Sequence, residues 1–142
     1  MTIFNQTKYS GFLGNTKYSI KGYGCTTACV TMVHNYKYKK FTDLNKAAKM
    51  LSYTKDGLLI WSSLKALGLQ LVSRIYKYDK KLIDNAFKSA DEYVILQVNN
   101  NHWVWVIGRY IPFLGYRIAD PLRGDKAYTN RYKNITGFAI IK

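Results

Sequence analysis

Acidic residues, cysteines and long apolar runs are all scarce in this chain, and each shortage excludes something. Only 8 of its 142 residues are Asp or Glu, against 22 Lys or Arg, for a net charge of +14. No acid precedes Asp43, while Lys8, Lys17, Lys21, Lys37, Lys39 and Lys40 all do. Such a field draws polyanions: anionic cell-wall polymers, anionic lipid or nucleic acid. It serves equally well as a solvated surface that maintains solubility. Without a basic helix or a recognisable nucleic-acid module, nucleic acid is not the expected partner. The 2 cysteines, Cys25 and Cys29, fall four apart in one expected helix, where a disulfide would be strained. A disulfide framework is therefore excluded. No apolar run approaches the roughly 18 residues that span a bilayer. Met1–Gln6 lacks the basic and apolar regions of a secretory signal. The expectation is cytoplasmic synthesis, with any target outside the cell reached by lysis or in a virion. With no repeat, low-complexity tract or linker, residues 1–142 read as a single domain, long enough to build a core unaided.

What is present is a change of pattern along the chain. Residues 1–24, broken by Gly11, Gly14, Gly22 and Gly24, read as loop with short extended pieces. From Cys25 the apolar residues Ala28, Cys29, Met32, Val33 and Tyr36 recur at helical spacing. A second helix is expected over 42–51 with Thr42 as N-cap, and a short one over 60–67 stopping at Gly68. A strand is expected over 69–74, then a helix over 80–88 burying Leu82, Ile83, Ala86 and Phe87. The last third reads as strands: 93–98, a turn at Asn99-Asn100-Asn101, then 102–108, 113–119 and 138–141. Helices first and an antiparallel sheet last define an α+β fold.

The chemistry centres on a thiol at a helix start. The first N–H groups of a helix have no partners within it, and its dipole is positive there. Both favour thiolate, the nucleophilic form, and the same N–H groups can receive an oxyanion. Cys25 needs a base, and the chain has 2 histidines. His34 lies nine residues on, about 180° round the helix at roughly 100° per residue. That leaves His102, at the mouth of a strand. If strands 102–108 and 113–120 pair about Ile111, opposed residues sum to 222 and His102 faces Asp120. Such neighbours share a side of the sheet, and the acid would fix the imidazole tautomer. A one-residue slip would part them.

Plainer readings stand beside this one. Any lone cysteine is more often a small buried hydrophobe, and Asp120-Pro121 has the composition of an ordinary turn. Cys29 belongs to the apolar stripe. Trp103 and Trp105 share one side of their strand as packing residues, rather than forming a base-stacking platform. Zinc is not expected, because Cys25, Cys29 and His34 do not share a helical face and paired ligand spacing is missing.

The segments YGCTTACVTMV, HWVWVIG and YRIADP resemble, in order and separation, the nucleophile helix, histidine strand and Asp-Pro strand of the C39-like peptidases, a papain-fold group. The resemblance extends from Gln6 to the last strand. It implies a papain-like cysteine peptidase fold, with the nucleophile helix packed on a C-terminal antiparallel sheet. It also implies a Cys25–His102–Asp120 triad, and Gln6 in the role of the glutamine that completes the oxyanion hole. Gln6 lies nineteen residues before Cys25, which calls for an inserted loop over residues 7–22. Thr26-Thr27 stands where the group commonly has Gly-Pro. Members of the wider group clip double-glycine leader peptides as transporter domains. Without membrane segments or a nucleotide-binding motif, this chain is expected to be a free-standing enzyme.

The expected activity is hydrolysis of a peptide or amide bond through a thioester, with no metal or organic cofactor. The cationic surface favours peptidoglycan as substrate, in the manner of a phage lysin. The alternatives are a peptidase that processes a protein partner, and a non-catalytic papain-fold module that binds an anionic partner.

Overall fold

A computed structural model describes residues 1–142. The chain passes through α1 (Ile20–Tyr23), α2 (Cys25–Tyr38), α3 (Leu44–Met50), β1 (Leu71–Ile75) and α4 (Lys80–Lys88). It then forms β2 (Tyr93–Val98), β3 (His102–Ile111), β4 (Gly115–Asp120), β5 (Asp125–Tyr128) and β6 (Ile135–Ile141). The strands make one antiparallel sheet in the order β1-β6-β2-β3-β4-β5. Alternation along the strands divides the apolar residues between two cores. Ile95, Trp103, Trp105, Ala119, Ala139 and Ile141 pack with α2 and α3. Val94, Leu96, Val104, Val106, Ile118 and Phe138 pack with Ile83 and Ala86 of α4. The α+β class and the helix-on-sheet layering agree with the sequence reading.

Helix α2 begins at Cys25 as expected, but its burial is wider than one stripe. Thr27 through His34 are all buried, while Tyr36 is exposed. The sheet covers one side of α2, and α3 and a 3-10 segment over Trp61–Leu67 cover others. His34 faces away from Cys25 and has a structural role. Its Nδ1 lies 2.6 Å from the Leu67 carbonyl and its Nε2 3.1 Å from the Thr42 hydroxyl. Those contacts explain a misassigned cap. The Thr42 side chain serves His34, and Asp43 caps α3 by accepting from the Asn45 N–H at 3.1 Å. Leu82 of α4 is exposed rather than buried, because only Ile83 and Ala86 meet the sheet fully.

The hairpin register also differs from the expected one. Trp105 pairs with Ala119 and Val106 with Ile118, so opposed residues there sum to 224 rather than 222. Two irregularities carry the ladder on to Ile111 opposite Gly115, which moves the turn to Pro112–Leu114. Strand β5 was not foreseen. It is four residues long and only Ala127 is fully buried, so it has little periodic signal.

Asp43 holds the start of α3 and also accepts from the Tyr9 hydroxyl at 3.0 Å. Replacing Asp43 with Ala is expected to cost about 1–2 kcal/mol, the usual effect of losing an N-cap. Urea unfolding measures it as a lower midpoint at unchanged slope.

Candidate active site

Gly24 sets the position of the thiol. It ends α1, donating its N–H to the Ile20 carbonyl, and its own carbonyl accepts from Ala28 to open α2. A Cβ at residue 24 would lie 2.6 Å from the Ile20 oxygen, so the sharp junction between the helices requires glycine. Gly24 offers no side-chain cap to α2. The first-turn N–H groups, beginning with that of Cys25, are thus left for another acceptor. Cys25 itself is nearly covered, at 8% exposure.

His102 opens β3, and Asp120 ends β4. By continuation of the observed register Asp120 lies opposite Val104, two residues from His102. A shift of two preserves the side of the sheet, so the pair meets diagonally instead of face to face. The Nε2 of His102 lies 2.8 Å from Oδ1 of Asp120. Nδ1 is the ring nitrogen left free by the acid, and Cys25 is near enough to act on the charge of the ring. The structure thus joins His102 and Asp120 by a hydrogen bond and places Cys25 near enough to act on the same ring.

Electrostatics fix the proton on the imidazole. Burial opposes the charged ring, but the hydrogen bonds and charges of Asp120 and Cys25 outweigh it and raise the pKa of His102 to about 9. Burial likewise opposes the Asp120 carboxylate. Hydrogen bonds from His102 and Tyr132, the His102 charge and the Leu122 N–H outweigh it and lower the pKa of Asp120 to about 2. The two shifts act on stability at opposite ends of the pH range. The His102 contribution is full below its ordinary 6.5 and disappears as pH rises through about 9. The Asp120 contribution is full above its ordinary 3.8 and disappears as pH falls through about 2.

Asp120 is wholly buried, and three of its partners, the Leu122 N–H and the Arg131 and Tyr132 side chains, were not anticipated from sequence. Its Oδ1 also accepts from the Leu122 N–H at 3.0 Å. Its Oδ2 accepts from the Arg131 guanidinium at 3.0 Å and from the Tyr132 hydroxyl. Arg131 forks onto Asp125 as well, with both nitrogens at 2.8 Å. The Tyr132 ring lies 5.3 Å from that of His102, between centroids, and so touches both the acid and the base. Both residues come from a 3-10 segment, Thr129–Arg131, and its C-terminal neighbour. The run TNRYKN has no periodicity that would have singled them out.

Gln6 is 2% exposed and returns to the site through the inserted loop. The Phe12–Ser19 bridge closes that loop, and α1 then leads directly into Cys25. The Gln6 backbone N–H donates to the Pro121 carbonyl at 2.8 Å, beside Asp120. Its side-chain Nε2 donates to the Lys21 carbonyl of α1 at 3.2 Å, leaving a second N–H on that nitrogen, and its Oε1 is buried without a partner. Gly124, with φ of 69°, presses so close that a Cβ there would meet the Asn5 Cβ at 2.7 Å. Segments 4–6, 20–25 and 120–124 are stitched into one wall.

No three His, Cys, Asp or Glu side chains are grouped to hold a metal ion. Trp103 and Trp105 are packed, Trp103 edge-on to Trp61 at 5.9 Å. A concavity of about 710 Å³ lies toward the other end of α2 around Tyr36, Lys37 and Phe41 and does not include Cys25.

No family model matches the chain, and no curated protein matches it. Among solved structures it is similar to a double glycine motif protease from an AMS/PCAT transporter, captured in complex with the leader peptide. The TM-score is 0.53 at 25% sequence identity, covering 82% of this chain and 81% of that chain. The order of helices and strands, the layering and this likeness together give the chain the papain-like fold of the cysteine peptidases.

Proposed function

We propose that the chain is a C39-like cysteine peptidase acting through Cys25, His102 and Asp120. The observation that carries this reading is the 2.8 Å hydrogen bond from His102 to a buried Asp120, with Cys25 acting on the same ring from a helix N-terminus that has no side-chain cap. Cys25 Sγ attacks the carbonyl carbon, and the oxyanion is received by the Cys25 N–H and by the second N–H of the Gln6 amide. His102 delivers its proton to the leaving amine as the C–N bond breaks, giving a thioester. Water then attacks the thioester with His102 taking its proton, and the C–S bond breaks, releasing the acid and restoring the Cys25–His102 pair. Asp120 keeps the imidazole oriented throughout and stabilises it whenever it carries the proton. No step needs a metal or organic cofactor.

The substrate is a peptide. Two sources of it have separate support: the +14 charge favours peptides of an anionic cell wall, and the leader peptide held by the similar protease favours precursor processing. Clearing of cell walls in a zymogram is expected only for the wall enzyme. A non-catalytic module would leave Cys25 no more reactive to iodoacetamide than a free thiol. Its binding to an anionic partner would fall steeply with salt.

Cys25→Ala is expected to abolish peptide cleavage while circular dichroism stays unchanged; persisting turnover in that variant would overturn the mechanism. The alkaline limb of kcat/KM should follow loss of the His102 proton near pH 9. In Asp120→Asn the imidazolium loses its anionic partner, so its pKa falls. The limb should then move to lower pH, with activity reduced by at least about tenfold. A pH–rate profile of the two proteins checks both, and an unmoved limb contradicts the role given to Asp120.

A further inference from the structure

The β3–β4 hairpin ends in an apolar tip that nothing in the protein covers. Phe113 is 98% exposed and Leu114 37%. Phe113 also has φ of 69°, in the left-handed region that glycine or asparagine occupies readily and a bulky side chain does not. An aromatic ring in water and a strained backbone thus coincide at one residue, and no internal packing offsets either. A ring held there at such cost has its partner outside the protein.

The surroundings indicate which partner. Tyr78 and Tyr110, both partly exposed, share with Phe113 and Leu114 a concavity of about 380 Å³ that also includes Lys133. Tyrosines, apolar in body and polar at the tip, suit the boundary between water and hydrocarbon. Arg109 is exposed beside Tyr110, and Lys80 lies 4.6 Å over the Tyr110 ring. No acid occurs from Gly108 to Ala119 or from Lys126 to Lys142. Of the acids near the tip, Asp84 is held by Lys80 at 2.6 Å and by the Tyr116 hydroxyl at 2.8 Å, and Asp79 caps α4.

From this apolar point, aromatic collar and cationic rim we infer that the hairpin tip is a peripheral anchor for an anionic lipid bilayer. Phe113 and Leu114 enter the acyl region, and Tyr78 and Tyr110 sit at headgroup level. Arg109 and Lys133 meet the lipid phosphates. The exposed Arg109 and Lys133 beside the apolar tip complement an anionic headgroup layer. β4 runs six residues from Gly115 to Asp120, so the acid stands roughly 17 Å beyond the base of the tip. One short finger gives weak, reversible binding rather than permanent insertion.

The test is co-sedimentation of the whole chain with vesicles of phosphatidylglycerol mixed with phosphatidylcholine, and of phosphatidylcholine alone, at low and high salt. The wild type should pellet with the anionic vesicles, bind the neutral ones at least about tenfold more weakly, and lose affinity as salt rises. Phe113→Gly should weaken binding by about tenfold or more, the effect of removing a buried aromatic ring. Its melting temperature should hold or rise, because glycine fits the backbone there. Failure of the wild type to pellet with anionic vesicles overturns the proposal, as does wild-type binding by Phe113→Gly. Equal binding to both kinds of vesicle overturns the assignment to anionic lipid.

Discussion

A carboxylate removed from water persists as a charge only where donors replace the hydration it has lost, and Asp120 has four of them. Much of the local architecture follows from that requirement. The end of β4 must turn back so that the Leu122 N–H can reach the acid, and the chain beyond β5 must fold over the sheet to bring Arg131 and Tyr132 to its second oxygen. Arg131 is in turn held by Asp125 across the β4–β5 turn, so the donor set is braced from behind. The imidazole is thus held between a saturated acid and the thiol.

The other half of the site comes from the N-terminal segments. Gly24 lets one helix end and the next begin without an intervening loop, which presents Cys25 at a bare helix start. Gln6 joins that junction to the loop after Asp120, its backbone tied to Pro121 and its side chain to Lys21. Residues far apart in sequence are held by main-chain bonds, which vary little with side-chain identity. Displacing Gln6 would therefore loosen both the helix that leads into the thiol and the turn that follows the acid.

Much of this was legible in the sequence because it is local or periodic. The start of α2, the bounds of α4 and β2, and the asparagine turn all rest on neighbours within a few residues. The pairing of His102 with Asp120 was approached through a wrong register, yet the error was two residues and strand parity preserved the shared side. Where a residue's partner is distant, sequence reasoning had little to use. Thr42 reads as a cap until His34 takes its hydroxyl, and Leu82 reads as core until the sheet accepts only part of α4. Arg131 and Tyr132 lie in a polar run whose meaning depends wholly on a carboxylate eleven residues earlier in the chain.

The position of β6 has a consequence for how the sheet is closed. This strand is formed from the final residues of the sequence, yet it lies inside the sheet between β1 and β2, and Lys142 pairs with Gln70 beside it. Without residues 135–141 the sheet would have a gap through its middle, and β1 would have no strand partner. Closing the sheet therefore joins segments far apart in the chain, the kind of long-range pairing that slows folding.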